Sequence, residues 1–478
     1  MQINCTKEDS LKDVTPMKQP QNRREYLTQT PVPKLILSLS VPTIISMMVT
    51  AIYNTADTFF VARVSSDPAV NTAATASVGL VFTVMAIIQA FGFFFGHGSG
   101  NYISRMLGAE NHKEANEMAS TSFAMALIVG VIFAVMGNIL VEPIADFLGA
   151  TPTTLQFTKD YMRIILIGAP FMMAQFVINN QLRFQGAAVY AMIGLMCGAV
   201  MNIVLDPLLI LGFHMEVRGA AIATIMGQFT SFIVLLIGTS KGENIKMSLK
   251  NVHINWHYTK EIINGGSPSL FRQGLAAIST LLLNRTAGAI GSDAAIAGMS
   301  VAGRLMLMMG SALIGFGQGY QPVCSFNYGA GLYKRVKEGF VFCVKVSTIF
   351  LIGIGVFCFS FAPLIISFFS KDPAAIEVGI KALRFMSAAQ PLSGAIVISN
   401  MMLQSIGKGF KASITASARN GFCFIPLILI LPQFLGITGV EMAQACADVL
   451  SLFVAVPMAM SELRKFNEDA PVNAPTRQ

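Results

Sequence analysis

Gly96-His97-Gly98-Ser99-Gly100 and, about 220 residues later, Gly315-Phe316-Gly317-Gln318-Gly319 carry one pattern twice. Working outward from these runs, Gly108-Ala109 with Lys113 and Glu117 returns as Gly329-Ala330 with Lys334 and Glu338. Pro143, Pro170, Leu182, Pro207 and Gly219 return in the same order as Pro363, Pro391, Leu403, Pro426 and Gly439. The shared order identifies an internal repeat. A repeat is also its own control: residues kept in both halves are architecture, and polar residues present in one half only are candidates for function. Asp57, Asn202 and Asp206 belong to the second group.

Each copy is too apolar for water. The chain is 54% hydrophobic and 12% charged, with a mean hydropathy of +0.62, which excludes a soluble protein of 478 residues. A bilayer core about 30 Å thick needs roughly 20 apolar residues per helix. Twelve such runs occur, near 35–62, 73–97, 119–141, 160–182, 189–211, 219–239, 263–288, 294–320, 339–361, 377–405, 413–434 and 438–460. They are long and apolar all round, unlike the alternating segments of about ten residues that build membrane barrels. The expected fold is therefore all-α: a polytopic membrane protein of twelve transmembrane helices in two parallel six-helix repeats. An even number of helices per half gives both halves the same orientation, an arrangement found in transporters with the substrate path between the repeats.

Loop charge sets the topology, because Lys and Arg accumulate on the cytoplasmic side. With both termini inside, cytoplasmic segments hold about 21 of the 33 basic residues and the outer ends about 7. The net charge of +8 is thus a statement of topology, and the scattered basic residues form no nucleic-acid-binding domain. The expected organisation is a cytosolic N-terminal tail (1–34), an N-lobe with helices 1–6 (35–240), a cytoplasmic linker (241–262), a C-lobe with helices 7–12 (263–461) and a cytosolic C-terminal tail (462–478). The tail lacks the apolar core of a signal peptide. Seven dispersed Cys and five dispersed His give neither a disulfide framework nor a metal site.

Most polar features inside the helices have a packing explanation. The GxGxG runs follow no strand and occur in both halves, so they read as close helix contacts, as does Gly194-xxx-Gly198. His97 reads as a helix-end residue. Arg272, Arg285, Arg304 and Arg419 lie in or at the ends of second-half helices, with Glu441 and Asp448 as their ion-pair partners. The 28 Met and 35 Phe are mostly filler, though a Met-rich aromatic cavity also suits varied apolar ligands.

The first half carries something different. Tyr53 and Asp57 are four apart on one helix face; Asn202 and Asp206 repeat that spacing, and Pro207 follows directly. Proline removes a backbone donor and restricts its predecessor, so a bent helix with freed carbonyls is expected beside Asp206. Asn179, Thr224, Asn54 and Thr55 add oxygen ligands. Two carboxylates drawn together in low dielectric do not both stay ionised cheaply, and must take up a proton or a cation. Asp, Asn and Thr oxygens suit a hard ion, Na⁺ or H⁺, not a transition metal.

At these residues the chain resembles a known family. Pro42 through Tyr53-Asn54-Thr55-Ala56-Asp57-Thr58-Phe59, Arg105-Met106-Leu107-Gly108-Ala109, and Asn202-Ile203-Val204-Leu205-Asp206-Pro207 are similar to the multidrug and toxic compound extrusion (MATE) family, in its MepA-like bacterial branch. The resemblance spans about residues 30–462. It implies two six-helix lobes alternating between inward- and outward-open states, and antiport of organic, often cationic, compounds against H⁺ or Na⁺. The positions that match the family's N-lobe cation site are Asp57, Asn202, Asp206 and Thr224, with Tyr53 and Asn179 lining the same cavity. Where other members have acids on the seventh and tenth helices, this chain offers Arg272 and Gln273, and Gln390 and Gln404. A C-lobe cation site is not expected.

The resulting expectation is a secondary active transporter rather than an enzyme, since neither GxSxG nor zinc-ligand spacing occurs. It would sit as a monomer in a bacterial plasma membrane with both termini cytoplasmic. No cofactor or metal is expected beyond a possible Na⁺ at Asp57, Asn202, Asp206 and Thr224. The alternative is a lipid-linked saccharide flippase of the same superfamily, which would carry about two extra helices and a cationic cavity.

Overall fold

The computed structural model describes residues 23–61, 64, 68–241, 245 and 247–466. The side chains of 51–59, 68 and 291–293 lie outside that description, as do residues 1–22 of the N-terminal tail and 467–478 of the C-terminal tail. No strand occurs among the described residues. The first half holds α1 (Val32–Val61), α2 (Pro68–Gly108), α3 (His112–Ile139), α4 (Leu155–Phe184), α5 (Ala188–Pro207) and α6 (Glu216–Thr239). In the second half, Trp256–Gly329 is helical throughout, 74 residues long, or about 110 Å if straight. It is not straight. Gly288 lies against the side chain of Ile296, and residues from both its ends, Ile262 and Gly329, pack on α2, at Gly98 and Arg105. The chain therefore doubles back near residue 291. The outgoing limb, 256–290, is α7 and the returning limb, Ala294–Gly329, is α8. Next come α9 (Tyr333–Ser360), α10 (Pro373–Ser405), α11 (Gly409–Leu435) and α12 (Ile437–Leu463).

Ten of these helices are long and apolar enough to cross a membrane on their own composition. The other two, α7 and α10, complete the twelve. They carry Asn264, Arg272 and Gln273, and Gln390, Asn400 and Gln404, which lower their hydropathy; Arg272 bonds Asn400 between the two spans, and Asn264 bonds the Gly407 carbonyl just beyond α10. Gln404 donates to Ser269 on α7 at 2.9 Å and accepts from Gln321 on α8 at 2.9 Å, so the two most polar spans are bound to each other. Polar atoms satisfied inside the bundle cost little in lipid.

The repeat is visible as paired contacts. Asn179 on α4 donates to the Ala191 carbonyl on α5 at 3.0 Å, and Asn400 on α10 donates to the Ala412 carbonyl on α11 at 2.6 Å. Both steps are the same length along the chain. Where the halves meet, contacts become reciprocal, as a two-fold axis requires. Ser104 on α2 donates to Pro322 O on α8 at 3.2 Å, while Ser325 on α8 donates to Asn101 Oδ1 on α2 at 3.1 Å. At Gly108 any Cβ would meet the Phe326 carbonyl, and at Gly329 it would meet the Arg105 carbonyl. Only glycine allows α2 and α8 to cross this closely.

These contacts set the register between the halves two residues away from the Gly-run pairing read in the sequence. Gly96 packs on Asn180 and Gly317 on Met401; Gly98 packs on Ile262 and Gly319 on Ser40. Gly96 thus corresponds to Gly317, not Gly315. The runs do serve helix packing, but they do not end a helix: α2 continues to Gly108, and His97, read as a helix-end residue, is fully buried within it. Glycine's helix penalty is offset here because each missing side chain admits a neighbouring helix.

Hydrogen bonds between the halves gather at one end of the molecule. Arg105 pairs with Glu261 at 3.0 Å and donates to Ser405 O at 3.2 Å. Tyr258 donates to Glu117, and Tyr102 lies 3.1 Å from His257. The first described residues join this end through the Arg24–Glu110 ion pair, and the last through Phe466 against Tyr328 and Tyr333. So does the segment after α6, where Ile245 N donates to Gln185 Oε1 at 2.8 Å and His253 N to Thr121 Oγ1 at 2.9 Å. α7 begins inside the stretch read as linker, at Trp256, because Asn255 caps it by accepting from Tyr258 N.

Candidate functional site

The carboxylate candidate in the first half stands where α5 changes its winding. The helix is regular to Pro207 and then widens into a π turn over Leu208–Gly212, with Phe213 N reaching Leu208 O at 2.9 Å. Proline's missing donor and ring clash favour such a change, and π turns concentrate at functional sites. The expected bend beside Asp206 thus takes the form of a change in pitch. Asp206 is fully buried and accepts from Asn202 Nδ2 at 3.3 Å, one turn earlier on the same face.

Asn202 also lines a small cavity between α1, α4, α5 and α6, with about 30 Å³ of water-accessible space. Its polar walls are Thr50, Gln175, Asn202, Thr224, Gln228 and Ser231, and none of the described lining residues is charged. The cavity exists because glycines let α5 and α6 touch backbone to backbone: a Cβ at Gly198 would meet the Gly227 carbonyl, and one at Gly227 the Gly198 carbonyl. Asn202 Oδ1 and Ser231 Oγ have no hydrogen-bond partner among the described residues. Buried polar oxygens are normally satisfied, so a polar space of this size has the chemistry to hold a water or a small hard cation.

The structure thus gathers three of the six residues singled out in the sequence: Asn202 and Thr224 in the cavity wall, and Asp206 one turn along α5. Tyr53 and Asp57 lie on α1, together with Asn54 and Thr55, but their side chains are outside the described residues. Asn179 is not among the cavity residues. Its amide is engaged with Ala191 O, as its counterpart Asn400 is with Ala412 O, so its presence in both halves marks it as architecture.

The corresponding region of the second half is filled. The α6 stripe Thr224, Gln228, Ser231 returns on α12 as Gln444, Asp448, Ser451, and Gly198 on α5 returns as Arg419 on α11. The Arg419 guanidinium makes two bonds to Asp448, at 2.7 and 3.1 Å, and Gln444 and Ser393 donate to the same carboxylate at 3.1 and 3.3 Å. Asp448 therefore forms the ion pair expected of it. Glu441 does not: it is fully buried with no hydrogen-bond partner on either oxygen. Arg285 and Arg304 are exposed.

Sequence reasoning passed over Arg183. Near the end of α4 it resembled a helix-end cation, but it is buried at the seam between the halves and donates to Gln318 on α8 and to Asn180.

Comparison with known proteins follows this architecture. The family model for MatE matches twice, at residues 42–208 and 268–430, once in each half and together over more than half of the chain. Among curated relatives, the Multidrug export protein MepA of Staphylococcus haemolyticus is 27% identical over 445 residues, covering 93% of this chain and 97% of that protein. MepA of Staphylococcus aureus strain NCTC 8325 is 28% identical over 440 residues, covering 90% and 94%. Among solved structures, an outward-facing multidrug resistance MATE family transporter of the MOP superfamily superposes with a TM-score of 0.86 at 24% identity, covering 94% of this chain and 99% of that one. A MATE solved in complex with MaL6 gives a TM-score of 0.86 at 24% identity, covering 93% and 99%. The chain belongs to the MatE family and is a multi-pass membrane transporter, not an enzyme.

Proposed function

We propose that this protein exports organic, often cationic, compounds from a bacterial cell in exchange for inward movement of H⁺ or Na⁺, by alternating access. The observation that carries this reading is one-sidedness. The first half keeps a buried carboxylate, Asp206, with its Asn202 partner beside a polar cavity, while the equivalent place in the second half is closed by Arg419 and Asp448. Asp448 is committed to Arg419, and a carboxylate already paired with arginine does not exchange a mobile cation. The names of the MepA relatives support multidrug export as the physiological class. The cavity lining contains no basic residue, which disfavours a phosphate-bearing saccharide at this site.

The basic loops favour a cytoplasmic position for the end that carries the first and last described residues. The hydrogen bonds between the halves at that end support a state closed to the cytoplasm. Binding of the ion at Asp57 and Asp206 drives drug release through its different affinity for the two states.

The test is dye efflux in inverted vesicles with H⁺ and Na⁺ gradients imposed separately. Asp206→Asn and Asp57→Asn should each abolish gradient-driven efflux while the protein still inserts, and wild-type rates in both would remove the first-half site. For orientation, single Cys residues at positions 250 and 334 in a Cys-free background should resist an impermeant thiol reagent in intact cells. Labelling from outside would invert the topology.

A further inference from the structure

The seam between the halves holds two cations without an anion. Arg183 on α4 is 3% exposed, and among the described residues its guanidinium bonds only to the neutral oxygens of Gln318 and Asn180, with no partner for its Nε. Arg272 on α7, half-buried, is held by Asn400 Oδ1 at 3.4 Å. Gly317, next to Arg183's partner Gln318, packs on Met401, next to Arg272's partner Asn400, which brings the two arginines to one place in the seam. His97 is fully buried, with Nδ1 against Phe93 O and Nε2 unpartnered among the described residues. Neither arginine has a carboxylate partner among the described residues, in contrast to Arg105 and Arg419, which do. Buried guanidinium groups facing only amides are costly to keep, and the fork geometry of arginine matches a carboxylate.

We infer that Arg183 and Arg272, one from each half, form a binding site for the carboxylate of zwitterionic organic substrates. This rests on the export reading above and adds an anionic feature to its substrate class. Gln318 belongs to the opposite half from Arg183, so opening the seam breaks the Arg183–Gln318 bond and presents both guanidinium groups to the cleft. Closing it returns Gln318 to Arg183, and the amide oxygen takes the place of the carboxylate. The anion is thereby displaced as the halves meet. A cationic moiety on the same molecule is left to the acidic first half.

The experiment uses a matched pair of dyes: tetramethylrhodamine, a zwitterion with a free carboxylate, and its methyl ester, a cation. Binding to detergent-solubilised full-length protein is read by fluorescence anisotropy, and export in inverted vesicles. Arg272→Gln should weaken binding of the free acid about ten-fold, as expected for one charge-assisted hydrogen bond, and leave the ester unchanged. Gln318→Glu, which supplies Arg183 with a permanent carboxylate, should abolish the preference for the acid. Equal losses for both dyes in Arg272→Gln, or no loss for either, would overturn the inference by reducing the arginines to a structural clasp. If the wild type binds the acid through Arg272 yet exports neither dye, the export reading fails and the binding site stands.

Discussion

The two halves share a backbone plan and treat its interior oppositely. Between α5 and α6, Gly198 and Gly227 bring the helices into backbone contact, and Thr224, Gln228 and Ser231 border a cavity. Between α11 and α12, Arg419 fills the position of Gly198, and Asp448 lies in the stripe that Gln228 occupies in the first half. At this place the first half borders a polar cavity, and the second is filled by an arginine–carboxylate pair. Duplication supplied one scaffold, and the two halves diverged at a few positions within it.

The largest effect expected from disturbing this contrast is on the filled side. Arg419→Ala leaves Asp448, only 3% exposed at its side chain, without its cation, and should destabilise the protein by about 3–5 kcal/mol. The double variant Arg419→Ala/Asp448→Ala should recover most of that loss. Thermal midpoints of the detergent-solubilised protein measure both. A single variant as stable as the wild type would mean that Asp448 is not held by Arg419.

A smaller effect sharpens what is common to the halves. Asn179→Ala and Asn400→Ala each strip a hydrogen bond from an equivalent helix–helix contact and should cost about 1–2 kcal/mol apiece, by similar amounts. Neither should alter which ion drives efflux. If Asn179→Ala alone changed ion dependence, Asn179 would belong to the coupling site after all.

These positions also explain what the sequence made legible. Helix count, class and the repeat follow from long apolar runs and from Gly and Pro order, because the bilayer imposes length and hydropathy directly. Helix ends were harder: hydropathy ends the second span near 97, whereas α2 continues to Gly108 through the glycines at 96, 98 and 100, which admit neighbouring helices. Asn202 and Asp206 stand out in the sequence because they are polar in one half only. Asn179 does not meet that rule, since Asn400 makes the same bond in the second half. Arg183 needed tertiary structure: nothing local distinguishes a helix-end cation facing water from one buried against the opposite half.

The central claim is that the carboxylate site of the first half, and not the second, exchanges an ion against the drug. Its most direct test is the affinity of the detergent-solubilised protein for a fluorescent cation, titrated against pH and Na⁺. Protonation of the Asp57 and Asp206 pair removes the charge that attracts a cation, so affinity should fall as pH is lowered, and added Na⁺ should mimic that fall at constant pH if Na⁺ is the coupling ion. Both responses should vanish in Asp57→Asn/Asp206→Asn and persist in the Arg419→Ala/Asp448→Ala protein. Affinity indifferent to pH and Na⁺ in the wild type, or a dependence that survives loss of Asp57 and Asp206, would contradict the account.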